Sequence, residues 1–135
     1  MPQEYTIDTQ QQVIWARCWG CLSDQDLLAH QAALRADPKF NNLISQLVDA
    51  REVTELEVST AAVNKLGTST LFAPTAKRAY VVTQNALFGL IRMYEQQQAV
   101  RGVSAVRVFR DRALALAWLG VSDPSTITPE NTGTG

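Results

Sequence analysis

The sequence is poor in the residues that make most reactive centres. It has one histidine and two cysteines in 135 residues. A structural zinc site takes four Cys or His ligands, so this supply falls short and no metal is expected. Two cysteines do not make a disulfide framework. With His30 as the single histidine, a Ser-His-Asp triad has one candidate base, and no G-x-S-x-G context accompanies it. G-x-G-x-x-G and G-x-x-x-x-G-K-S/T are both absent, so no nucleotide cofactor is expected. Charge of one sign is missing as well. Twelve Lys and Arg face thirteen Asp and Glu, for a net charge of −1. That balance argues against a dominant phosphate-binding surface, and no nucleic-acid partner is expected. No apolar run approaches the ~20 residues that span a bilayer, so no membrane span is expected. Residues 1–8 lack the basic-then-apolar profile of a secretory leader, and cytoplasmic residence is the expectation. Internal repeats are absent.

What remains is an ordinary globular composition, 46% hydrophobic and 19% charged, at a length that fits one domain. Glu4–Asp8 and Val13–Trp19 read as strands of a hairpin across a polar turn, with Gly20 ending the second. Ser23 is placed to cap a helix in which Leu27, Leu28, Gln31 and Leu34 recur at helical spacing, and Asp37-Pro38 stops it. His30 falls on the flank of that stripe, as a helix-surface residue. A short apolar run from Leu43 to Val48 reads as a buried strand that ends at Asp49. An acidic loop then leads to a short helix opened by Ser59 and closed by Gly67, with a loop at 68–70. Lys77–Thr83 is another buried strand. Asn85 is placed to cap a helix with an inward stripe of Leu87, Leu90, Ile91 and Tyr94. Val103–Phe109 is the last strand, and a helix capped by Asp111 runs to Leu119. From Val121 the chain carries too little apolar surface to order itself, so 121–135 reads as a disordered tail behind a domain of residues 1–120. Strands alternating with helices imply an α/β fold: a mixed, mostly parallel sheet of about five strands with four helices.

Gln46–Val63 carries a resemblance. Leu47-Val48-Asp49 ends a strand, Val53-Thr54 pairs a hydrophobic residue with a hydroxyl, and Glu57-Val58-Ser59-Thr60 opens a helix. This pattern resembles the STAS domain, the SpoIIAA-like fold of bacterial anti-sigma factor antagonists, where a strand ends in Asp and Asp-Ser-Ser/Thr-Gly opens a helix. Val108–Leu119 is similar to the last strand and helix of that family. Thr60 and Glu57 stand where the family has glycine and aspartate. The resemblance implies a non-enzymatic regulatory module that works through protein contacts, with a kinase or an anti-sigma-like regulator as partner. It places Ser59 at the position of the phosphorylated serine, and Asp49, Thr54, Glu57, Ser59 and Thr60 in the interaction loop. It also leaves open a carrier of a small apolar ligand or lipid, held against the sheet.

The residues themselves admit plainer readings. Ser59 also serves as an ordinary helix cap. Cys18-Trp19-Gly20-Cys21 has thioredoxin-like spacing, but Cys18 shares a strand face with Ile14 and Ala16, as a small core residue does. Lys77-Arg78 and Arg107, Arg110 and Arg112 read as solvated basic clusters. Trp15, Trp19, Phe72, Tyr80 and Phe88 are candidate ligand or partner contacts. In the last helix, Leu114 and Trp118 are expected inside, which leaves Leu116 and Leu119 for a homodimer or partner contact.

Overall fold

The computed structural model describes residues 3–67 and 71–123. β1 (Gln3–Asp8) and β2 (Val13–Ser23) form an antiparallel hairpin. Asp8 builds the turn between them, its carboxylate accepting from the backbone N–H groups of Gln10 and Gln11, each at 3.0 Å. Then follow α1 (Asp24–Ala36), β3 (Ser45–Glu57), α2 (Thr60–Gly67), β4 (Arg78–Val81), α3 (Asn85–Val100), β5 (Val106–Phe109) and α4 (Arg112–Leu119). The sheet runs β1-β2-β3-β4-β5, and β2 to β5 are parallel. The chain thus forms the expected mixed five-stranded α/β sheet with four helices. The loop expected at 68–70 lies outside the described residues.

Strands β2 to β5 are laid down in sequence order, so crossovers of one hand put α1, α2 and α3 on the same face of the sheet. Ile14, Gln46, Arg78 and Val106 are in register across these strands. Ala16, Val48, Tyr80 and Val108 form the next row on the same face. Both rows look toward the three crossover helices. The alternate row, Trp15, Leu47 and Ala79, looks the other way, against Ala115 and Leu119 of α4. α4 follows the last strand and is not a crossover, so it is the helix able to cover that side.

Three expectations need correction. First, β2 does not end at Gly20, and β3 does not end at Asp49. The two run on side by side to the pair Ser23 and Glu57. The presumed acidic loop is a strand, and register shifts at Asp49/Glu52 and Val53/Glu55 explain why it does not read as one. Each shift adds a residue to β3, so the inward positions Ala50, Val53 and Leu56 recur every third residue instead of every second. Gly20 takes φ +67° at the bulge, a backbone state that suits glycine. Second, Leu114 is 61% exposed, while Leu119 is buried and Leu116 packs beside it. The apolar side of α4 that meets the sheet is the one carrying Ala115 and Leu119, because these fall over β3 and β4. Third, Gln84 and not Asn85 caps α3, its side chain accepting from the Leu87 N–H at 3.2 Å.

Of the expected tail, 124–135 lies outside the described residues. Its first part is fastened to the domain: the Ser122 N–H donates to Gln11 at 2.8 Å, and Asp123 pairs with Arg112 at 3.1 Å.

α1 starts where Ser23 accepts from the Asp26 N–H and Asp26 accepts from the Ser23 N–H, a reciprocal cap. Ser23→Ala therefore lowers stability by about 1 kcal/mol. Urea unfolding checks this, as a lower midpoint with an unchanged slope.

Candidate functional site

The long β2–β3 pairing brings two helix starts together. Ser23 and Glu57 are the last pair in register, so Asp24, one residue on, and Ser59, two residues on, meet at one end of the sheet. The Asp24 carboxylate accepts from the Ser59 N–H and from the Ser59 hydroxyl, both at 2.7 Å. The same hydroxyl oxygen accepts from the Ala62 N–H at 3.1 Å and so caps α2. Ser59 is exposed, as are Glu57 and Thr60 beside it. This clamp ties the first turns of α1 and α2.

The other two residues expected in an interaction loop stand apart, because the segment is extended. Thr54 is an exposed strand residue whose carbonyl accepts from Gln84 at 3.2 Å. Asp49 lies toward α4. Its carboxylate accepts from Arg51 at 2.7 Å and from Arg112 at 3.3 Å. Burial pushes the Asp49 carboxyl up, but the Arg51 hydrogen bonds and the charges of Arg51 and Arg112 outweigh it and hold the pKa below the usual carboxylate range. Asp49 is thus a tie between β3 and α4.

A second feature lies under the clamp. The face of the sheet toward α1, α2 and α3 is incompletely filled, leaving an apolar chamber of about 90 Å³. Leu27 and Leu34 of α1, Val63 and Leu66 of α2, and Leu90 and Tyr94 of α3 wall it above Val48 and Tyr80 of the sheet. Polar groups enter at one row. His30 Nε2 lies 2.6 Å from Gln46 Oε1, so His30 points inward and is not the surface residue expected. Burial lowers its pKa and favours the neutral ring, against the opposing Gln46 hydrogen bond. Arg78 is 7% exposed, not solvated as its neighbour Lys77 is. It donates to the Ala76 carbonyl and, at 3.2 Å, to the Tyr94 hydroxyl. The signal available in sequence was alternation: Arg78 has the parity of Tyr80 and Val82, both inward.

The five candidate aromatics do not share a wall. Phe72 and Tyr80 line the chamber. Trp15 has the opposite strand parity and lies toward α4, with Arg112 5.8 Å from its ring. Arg17 covers Trp19 at 4.4 Å, and Arg110 covers Phe88 at 4.1 Å. Cys18 is buried, and burial pushes its thiol up to about 12, with Asp49 and Asp26 adding to the shift. Such a thiol is a core group, not a nucleophile.

Among the described residues, no three His, Cys, Asp or Glu side chains gather as a metal set, and no helix is long and apolar enough to cross a membrane. No protein-family profile matches the chain, and no curated protein matches it in sequence. A solved structure does. It is the crystal structure of an uncharacterized protein of the DUF3478 family, with a SpoIIAA-like fold, from Shewanella loihica PV-4. The match covers 87% of this chain and 93% of that one, with a TM-score of 0.58 and 19% sequence identity. The fold is SpoIIAA-like. Within it, the β3–α2 junction carries the exposed, clamped Ser59 hydroxyl, and the chamber beneath α1–α3 carries the buried Arg78 guanidinium.

The Asp49 tie has a pH signature. A folded-state pKa held below the unfolded value contributes stability above the unfolded pKa, and that part is lost as pH falls through the folded value. Asp49→Asn lowers stability at pH 7 by about 1–3 kcal/mol. The gap between the two proteins narrows below about pH 4, near the ordinary aspartate pKa. Urea midpoints measured from pH 7 to pH 3 check both statements.

Proposed function

We propose that the protein is a non-enzymatic regulatory module, read by a protein partner at the β3–α2 junction and switched by phosphorylation of Ser59. The observation that carries this reading is the clamp: an exposed hydroxyl at a helix start, held by the carboxylate of a second helix. A phosphate on Ser59 adds about −1.5 to −2 of charge. It would face Asp24 and Glu57, so the clamp would open by like-charge repulsion, while the N-terminus of α2 could still receive the phosphate oxygens. The charge change and the element it moves are then both defined, as a switch requires. A kinase and an anti-sigma-like regulator are the partner classes that the STAS resemblance suggests.

A second reading, a small-ligand carrier, draws on the apolar chamber. Its free volume of about 90 Å³ is well below the ~300 Å³ of sites that hold drug-sized molecules. The ligand on this reading is a small molecule and not a lipid chain.

Phosphopeptide mass spectrometry on the protein from its own cells tests the switch, with phosphate expected on Ser59 under at least one growth condition. Ser59→Asp is the companion variant. It keeps a residue able to cap α2 but sets two carboxylates face to face. Amide exchange is expected to quicken by roughly tenfold over Asp24–Leu27 and Thr60–Val63, the equivalent of about 1.4 kcal/mol. Unmodified Ser59 throughout, with unchanged exchange in the variant, would sink the switch.

A further inference from the structure

Arg78 is a buried cation. Among the described residues, no carboxylate lies within ion-pair distance of its guanidinium. Its hydrogen-bond partners are neutral: the Ala76 carbonyl at 3.3 Å and the Tyr94 hydroxyl at 3.2 Å. The Phe72 ring lies 5.1 Å from the guanidinium carbon. Neutral acceptors satisfy N–H donors but do not cancel the charge, and a guanidinium cannot shed its proton. Charges buried to this degree are ordinarily paired. Gln46, 3% exposed, stands beside Arg78 in register on the neighbouring strand. Its carbonyl oxygen is engaged by His30 at 2.6 Å, which leaves its amide NH₂ to donate. The row of His30, Gln46 and Arg78 is therefore rich in donors and holds no carboxylate, the lining Glu4 being paired with Arg17, while the walls around it are aliphatic and aromatic.

We propose that the chamber binds a short-chain monocarboxylate, its carboxylate on the Arg78 fork and its hydrocarbon tail against Leu34, Val48 and Leu90. The inference rests on the small-ligand reading and adds the class of ligand. A planar guanidinium matches a carboxylate by two parallel hydrogen bonds, which is the geometry Arg offers and Lys does not. Size sets the tail. A cavity of ~150 Å³ admits benzene, and about 90 Å³ is smaller. The acid is thus aliphatic and a few carbons long.

Titration calorimetry at pH 7 with sodium butyrate and sodium valerate, against 1-butanol and 1-pentanol, tests this. The acids are expected to bind about 10- to 100-fold more tightly than the alcohols, the usual range for a charge-assisted pair. Arg78→Met keeps the side-chain bulk and removes the fork, so acid binding falls to the alcohol level. Arg78→Lys keeps the charge and gives an intermediate affinity. Should Arg78→Met not fold, the lysine variant and the acid–alcohol comparison on the natural protein decide. Equal binding of acids and alcohols, or unchanged acid binding in Arg78→Met or Arg78→Lys, overturns the carboxylate assignment and leaves the chamber as an apolar site. Binding of neither overturns the small-ligand reading with it.

Discussion

The parallel pairing of β2 with β3 is the constraint on which the rest of the molecule depends. It runs from Val13 and Ser45 to Ser23 and Glu57, far beyond the stretch where β3 also meets β4. Because the strands are parallel, their ends coincide, and so do the starts of the helices that follow them. Antiparallel neighbours would have sent α1 and α2 from opposite ends of the sheet. Parallel ones deliver Asp24 to Ser59 at 2.7 Å. The two bulges bring the strand ends level. Without the two register shifts, Ser23 would face Glu55, and the clamp would lose its partner.

The two faces of the sheet are covered differently. α4 lies alone on its face and seats small residues, Ala115 and Ala79, so it approaches closely. The opposite face must accommodate three helices whose axes are set by three separate crossovers. Side chains there meet at the junctions of the helices, and the junction above Val48 and Tyr80 is left partly open. A buried guanidinium is costly, and Arg78 reduces the cost with a carbonyl, a phenol and an aromatic ring. An aliphatic residue at this position of β4 would fill the core more simply. The charge therefore calls for an explanation beyond packing, and a ligand of opposite sign supplies one.

Much of the fold was legible because its signals are local. Helix starts at Ser23 and Asp111, stops at Asp37-Pro38 and Gly120, and the inward stripe of α3 all follow from short-range chemistry. The stretch from Ala50 to Glu57 was not legible as strand. Its bulges replace a two-residue period with a three-residue one, and its exposed Glu52, Glu55 and Glu57 imitate a loop. The site was legible in part. Ser59 as a helix cap could be read from its position, but Asp24, 35 residues away, could not, because the contact depends on register. Arg78 reads as solvated in sequence because it stands beside Lys77, which is exposed. His30 reads as a surface residue for a related reason: a helix of weak amphipathicity does not announce which flank faces the sheet.

The clamp and the chamber are not independent features. α1 carries Asp24 at its start and Leu27 and Leu34 in the chamber wall, and α2 carries the Ser59 cap and then Val63 and Leu66. Any change that separates the two starts also moves two walls. If the proposed phosphorylation opens the clamp, it acts on the space a ligand occupies, and by linkage an occupied chamber acts back on the clamp to the same extent. The clamp itself limits that extent. It consists of two hydrogen bonds at the surface, together roughly 1–3 kcal/mol, so coupling through it changes ligand affinity by about 100-fold at most. Coupling of that size suits graded control better than an all-or-none transition, which needs about 5.5 kcal/mol.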